Sequence, residues 1–387
     1  MLFTRKCYWC FIGKIIIGIG ISTMKRVLCI ISSLDAGGAE TFLMKIYRYL
    51  TPLGYQFDFI VSKDGGCYTS EVLELGGKIF VIPTRSENLF GAFNGIRLAV
   101  KENQYKYVLK LGEHSLAVLD MLAAKFGGAK VLGVRACNAP TGLSALHRLI
   151  HLFCRPFLNY LAKVKIAPSI LAANFLFGAK EDVCMLHNGV DLNVFRYDSM
   201  GRESIRKEFG LEDKLVIGHI GRFHKQKNHL FLLETFKEIS VLREDAILLL
   251  VGTGELEEQI CERIKSLNLE ERVILTGQRF DIPQLLSAMD AFVFPSLYEG
   301  MPNTVIEAQA TGLPCVIADT ITTEANITGL VKYLPLSLSA SEWAKIVLNA
   351  VSSTRKNTHN DFAKYGYNIE SVAKEFISIL GMNSDSD

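Results

Sequence analysis

From position 24 onward the chain alternates two patterns: short apolar runs, and longer stretches whose apolar residues recur every three or four positions. "RVLCIIS" (26–32) is of the first kind and predicts a buried strand. "TFLMKIYRYL" (41–50) is of the second and predicts an amphipathic helix, with Phe42, Ile46, Tyr47 and Leu50 sharing one side. "YQFDFIVS", "GKIFVIP" and "YVLKLG" continue the strands, and "LAVLDMLAAKFG" is a helix among them. A second series starts near residue 214. It runs through "KLVIGHIG", the helical "HLFLLETFKEISV", "AILLLVG", the helical "ELEEQICERIKSL", "RVILTG", "IPQLLSAM", "AFVFPS" and "PCVIAD". Strand alternating with helix means βαβ units and parallel sheets, an α/β fold. "CMLHNGVDLNVF" (184–195), with its Asn-Gly turn, separates the halves as a hinge, and "YNIESVAKEFISIL" (367–380) predicts a last amphipathic helix.

At 387 residues the chain is comfortable for two domains. It is 49% hydrophobic and 21% charged, enough apolar material for sizeable cores, and its net charge of +2 excludes no partner by itself. Nine scattered cysteines, several in apolar runs, suit reduced, buried thiols in a cytosolic protein. "CYWC" (7–10) has redox spacing but no preceding strand. Residues 1–23 stand apart. Their apolar run "IIIGIGI" is too short to span a bilayer, and no small-x-small cleavage pattern comes after it. They are expected to be a leader or upstream extension, with a membrane-surface anchor as the alternative.

Candidate chemistry gathers where strands give way to helices. In "PSLYEGMPNTVIEAQATGLPCVIADT" (295–320), Glu299 falls in the loop and Glu307 one turn into the next helix. Thr304-x-x-Glu307 also fits a capping box, in which Glu307 only satisfies a backbone N–H. In "GHIGRFHKQKNH" (218–229), Arg222 and Lys227 stand between a strand and a helix start near Asn228. They suit a diphosphate, or else belong to a solvated basic loop. "SLDAGGAE" (33–40) places Gly37 and Gly38 between strand and helix, where backbone can approach a ligand or simply turn tightly. His114 comes after "YVLKLG" at a strand top. Arg135 and Asn138 in "GVRACNA" occupy the end of the next strand. "VGTGE" lacks the Lys-Ser/Thr of a P-loop, the Cys and His spacings match no zinc site, and the terminal "DSD" reads as a disordered tail.

Taken together and in this order, the Gly-Gly turn, "HNGVD", "GRFHKQKNH", "LLLVGTGELEE" and "SLYEGMPNTVIEAQATGLPCV" resemble the GT-B glycosyltransferases of family 4, from Met24 to about Leu380. The last segment carries the family's Glu-x7-Glu signature. The resemblance implies two Rossmann-like α/β/α domains whose parallel sheets face a central cleft. It divides the chain into 24–188 on the acceptor side, 189–365 binding the nucleotide sugar, and 366–387 as a helix returning to the first domain plus a tail. It implies that Glu307 binds ribose hydroxyls and that Glu299 lies against the transferred sugar. Arg222 and Lys227 would hold the diphosphate, helped by Gly37 and Gly38, with the backbone of Met301, Pro302, Asn303 and Thr304 against sugar and phosphate. Gln278 or Arg279 would lie near the base and His114 near the donor sugar. The same resemblance implies retention of anomeric configuration, a UDP-sugar as donor, and no metal or other cofactor.

The acceptor implied is a glycan, or a glycan on a polyprenyl diphosphate, in cell-surface polysaccharide assembly; no nucleic acid is implied. Between Asp120 and Glu181 the chain has no acid and eight lysines or arginines. Inside that stretch "LSALHRLIHLFCRPFLNYLAKVKI" mixes Leu, Phe and Tyr with cations. That composition suits anionic lipid or, equally, a core helix with a basic outer face. The expected location is cytoplasmic, with peripheral association at the inner face of the plasma membrane. Two other functions fit the same residues: a sugar-nucleotide epimerase of similar fold, and a non-catalytic nucleotide-sugar binder at the membrane.

Overall fold

A computed structural model describes residues 24–35, 37–137, 144–351 and 354–383. The expectations for residues 1–23, Asn138 and the terminal acidic residues lie outside the described residues.

Two parallel sheets account for the strands. The first contains β1 (Lys25–Ile30), β2 (Tyr55–Val61), β3 (Ile79–Val81), β4 (Tyr107–Gly112), β5 (Val131–Ala136), β6 (Val164–Ala167) and β7 (Cys184–Met185), in the order β3-β2-β1-β4-β5-β6-β7. The second contains β8 (Leu215–Ile220), β9 (Ala246–Val251), β10 (Val273–Leu275), β11 (Ala291–Phe294), β12 (Cys315–Ala318) and β13 (Val331–Leu334), in the order β10-β9-β8-β11-β12-β13. The apolar runs are continuous because helices cover both faces of each sheet. In β8 and β11 every residue is buried.

Each sheet has its own pair of cores, one on either face. The division between domains falls in two neighbouring crossings. Leu186 packs in the first domain and Val190 in the second. On the return, Tyr367 packs in the second and Ile369 in the first. The crossings pair with each other: Val190 N–H donates to Tyr367 O at 2.8 Å, and Ile369 N–H to Val190 O at 3.0 Å. His187 stacks on the Tyr367 ring at 4.2 Å. The helix Ile369–Ile379 then lies against the helix Gly38–Leu50, its Phe376 meeting Phe42 and Phe57.

Strand order reverses between β1 and β4 in the first sheet and between β8 and β11 in the second. In such sheets ligands bind beyond the carboxyl ends of the strands at the reversal. Gly37 and Gly38 come after β1, His114 after β4, Arg222 and Lys227 after β8, and Glu299 after β11. The pattern thus brings residues from distant parts of the chain to one cleft.

Two local expectations change. The helix of the Glu-x7-Glu segment runs Asn303–Ala310 with Pro302 as its N-cap, so Thr304 lies within the helix and no capping box forms. Not all thiols are buried: Cys29 and Cys315 are, whereas Cys67 and Cys184 are exposed. Among the described residues no helix is long and apolar enough to cross a membrane.

Candidate active site

The second domain's contribution centres on Lys227 and Glu299. The Lys227 Nζ donates to Glu299 Oε1 at 2.6 Å, and the two side chains are only 18% and 9% exposed. The ammonium also lies 4.6 Å from the centre of the Phe294 ring. The two loops that carry the pair are sewn together. Gln226 Nε2 donates to Tyr298 O, Leu297 N–H to Gln226 O and Asn228 Nδ2 to Pro295 O. Asn228 adopts the left-handed conformation and starts the helix His229–Leu242 without a side-chain cap. The helix Asn303–Ala310 likewise lacks a side-chain cap. The first amides of both helices have no intrahelical acceptor, so each offers donors and a positive dipole end to an anion.

Arg222 behaves differently. Its side chain is 73% exposed and meets Glu255 at 3.2 Å, a surface pair whose contribution is small, on the order of 0–1 kcal/mol. A diphosphate can therefore draw the guanidinium away at little cost. The loop that carries it is held from behind by Gly252 at the end of β9. Its φ is +140°, and a Cβ there would collide with Gly221 O. Gly252→Ala is expected to destabilise the protein by ~1–3 kcal/mol, read by urea unfolding.

The first domain reaches across the cleft at three places. Lys45, on the helix Gly38–Leu50, donates to Glu307 Oε1 at 2.6 Å, with both side chains about a tenth exposed. Glu307 is thus an interdomain partner rather than a cap, and only one of its oxygens is taken by Lys45. Gly38 faces Asn303, since a Cβ on it would lie 3.7 Å from Asn303 Nδ2. Arg135, fully buried at the end of β5, sits 3.6 Å over the Phe42 ring and donates to Asn188 Oδ1 at 2.5 Å. Asn188 in turn donates to Asn303 Oδ1 at 2.6 Å. Burial lowers the Arg135 pKa to about 10, which leaves it charged at neutral pH.

Comparison with known proteins decides the family. Residues 36–194 match the model "Glycosyltransferase Family 4" and residues 201–369 match "Glycosyl transferases group 1". EpsF of Bacillus subtilis (strain 168), a glycosyltransferase by its name, is 34% identical over 95% of this chain and 99% of its own. The chain belongs to the family 4 glycosyltransferases.

Its fold is that of the GT-B enzymes. Anabaena Alr3699/HepE, solved in complex with UDP and glucose, superposes with a TM-score of 0.76 at 20% identity, over 93% of this chain and 100% of that one. The UDP-Gal:alpha-D-GlcNAc-diphosphoundecaprenol alpha-1,3-galactosyltransferase of Escherichia coli is 27% identical over 68% of this chain and 72% of its own. An N-acetylgalactosaminyltransferase of Campylobacter jejuni, whose name gives a diphospho-undecaprenol-linked acceptor, is 26% identical over 76% and 81%.

Within this glycosyltransferase some expected residues stand apart from the cleft chemistry. Both ring nitrogens of His114 are committed inside the first domain: Nε2 to His147 O at 3.1 Å, and Nδ1 to the Leu116 N–H at 3.2 Å. Its ring braces a neighbouring helix instead of offering a nitrogen to a sugar. Arg279 is gripped by Glu208 and Asp281, whose carboxylates push its pKa up, and it rests against the Phe209 ring. The exposed Gln278 beside it remains the group presented to solvent. Met301 and Pro302 are buried, and the Met301 side chain packs in the second-domain core.

Lys45, Asn188 and Glu40 were not singled out by the sequence. Glu40 folds back over Gly37, its carboxyl raised in pKa by burial and by the nearby Asp35 and Glu113.

Proposed function

We propose that this glycosyltransferase moves a sugar from a UDP-sugar, with retention of anomeric configuration and without a metal, to a glycan carried on a polyprenyl diphosphate. The observation that carries the reading is the Lys227–Glu299 pair, set at the ends of β8 and β11 beside two uncapped helix N-termini. Glu299 would lie against the sugar and Lys227 against the diphosphate, so the glycosidic bond would fall between them. As that bond breaks, negative charge grows on the leaving phosphate. Lys227 and the helix amides are fixed donors aimed at that charge, and Arg222 adds a third once it leaves Glu255, so that together they stabilise the transition state more than the ground state. The acceptor hydroxyl forms its new bond to the same face of the anomeric carbon and passes its proton to the leaving phosphate oxygen. Neither glutamate then needs to act as a nucleophile. Glu307 would hold the ribose with the oxygen that Lys45 leaves free.

The lipid carrier is suggested by the Escherichia coli and Campylobacter jejuni relatives, and the UDP-sugar by the UDP-bound structure. Both support work at the cytoplasmic face of the membrane, in cell-surface polysaccharide assembly. The test is transfer from a panel of labelled UDP-sugars to undecaprenyl-diphosphate glycans, with the product's anomer read by NMR. An α-linked product formed equally in EDTA supports the reading. Activity abolished by EDTA and restored by magnesium or manganese overturns the metal-free mechanism. Epimerised nucleotide sugar without transfer overturns the function.

A further inference from the structure

The helix Ala145–Leu161 is built inside out. Of its 17 residues only His151, Leu158 and Leu161 are buried. Leu146, Leu149, Phe153, Phe157 and Tyr160 are 64%, 65%, 70%, 54% and 83% exposed. Their spacing of three and four residues puts them on one face of the helix, as a stripe ~21 Å long. Isolated exposed apolar residues are ordinary, but a continuous stripe of this size marks a surface with a partner.

Exposed cations on and around the helix identify that partner. Arg148 is exposed on the same helix, Lys163 is exposed just beyond its end, and Lys125 Nζ stands 6.0 Å from the Tyr160 ring. No acid occurs between Asp120 and Glu181. Two of the eight cations in that interval do not contribute: Arg135 is buried at the cleft, and Lys165 is paired with Glu181 at 2.8 Å. A second copy of the chain docking on this face about a two-fold axis would oppose like charges. An anionic bilayer offers both what the stripe and what its cations require, an apolar interior below a layer of negative headgroups.

We propose that the outer face of the helix Ala145–Leu161 is a docking surface for an anionic lipid bilayer. The proposal rests on the membrane location given under Proposed function and names the surface responsible. It also explains the commitment of His114. Ser115 Oγ donates to His151 O at 2.7 Å, the Ser115 N–H to His151 Nδ1 at 3.2 Å, and His114 Nε2 meets His147 O. These bonds tie the docking helix to the loop after β4, at the rim of the cleft. A helix seated in the headgroups would therefore hold the acceptor side of the cleft at the lipid surface.

The experiment is sedimentation of the full-length protein with vesicles of phosphatidylglycerol and phosphatidylcholine in equal parts, against phosphatidylcholine alone. Leu149→Ser/Phe153→Ser/Phe157→Ser alters exposed side chains only, so its melting temperature and its shift on adding UDP should be unchanged. Its binding to the mixed vesicles should fall at least about tenfold. Arg148→Glu/Lys163→Glu should weaken binding at least about tenfold at low salt, with the difference closing at high salt. Lys227→Ala, directed at the donor site, should sediment like the unaltered protein, which separates failure of the docking surface from failure of the proposed transfer. Unchanged sedimentation of the serine variant overturns the proposal. So does a serine variant that loses self-association in the analytical ultracentrifuge while keeping its vesicle binding, since the stripe would then belong to a second copy.

Discussion

Lys227→Ala is expected to lower sugar transfer by at least ~100-fold, the scale of losing one fixed donor to a developing oxyanion. The ammonium is held by Glu299 at 2.6 Å and by the Phe294 ring, so its position is set before any donor arrives. That preorganisation makes the loss fall mainly on kcat. Arg222→Ala should also be slow, but through a different balance: the exposed guanidinium must leave Glu255 and order itself, so KM for the donor should rise as well. Steady-state kinetics over a range of donor concentrations distinguishes the two. Equal kcat in Lys227→Ala and the unaltered enzyme would remove the pair from the chemistry. Glu299 would then be a buried carboxylate with a structural counter-ion and nothing more.

Glu307→Gln is expected to weaken both UDP and intact donor by about ten- to a hundred-fold, since a hydrogen bond to a charged group is worth ~1.5–3 kcal/mol. Lys45→Met should act through Glu307. It leaves a nearly buried carboxylate without its cation and frees it from its set orientation, so the melting temperature should drop and nucleotide affinity with it. The double variant isolates the coupling: if Lys45 works only by holding Glu307, its effect on UDP affinity disappears once Glu307 is Gln. Isothermal titration of the four proteins gives the cycle. Unaltered affinity in Glu307→Gln together with a lower melting temperature would make the Lys45–Glu307 pair a strap between domains and no part of a ribose site.

The strand tops were legible in the sequence because parallel strands buried on both faces leave continuous apolar runs. The residues just after such a run lie at the carboxyl end of the sheet. Arg222, Lys227, Glu299 and the paired glycines could all be located this way from local pattern alone. Lys45 could not. It lies in the middle of an amphipathic helix, where a lysine normally faces solvent, and its partner is 262 positions away. Asn188 was hidden for a similar reason. The Asn-Gly pair reads as a turn, which is true of the backbone but silent about a side chain joining Arg135 to Asn303. His114 shows the converse limit: its place at a strand end was readable, but the direction of its ring depends on His147 and His151, which come from another element. The acid-free interval concealed one more cancellation, because the first acid beyond it, Glu181, reaches back to Lys165.

The return of the helix Ile369–Ile379 has a consequence for how the protein is made. The core beside β1 and β2 is completed by Val372, Phe376, Ile377, Leu380 and Met382, all translated after the whole second domain. Domains commonly fold in order as they leave the ribosome. Here the first sheet emerges early with one flank uncovered, and it must hold that apolar flank against aggregation until residues 369–382 arrive. The second domain, whose cores are built from one uninterrupted span of chain from Val190 to Tyr367, has no such delay. The domain synthesised first is therefore the one finished last.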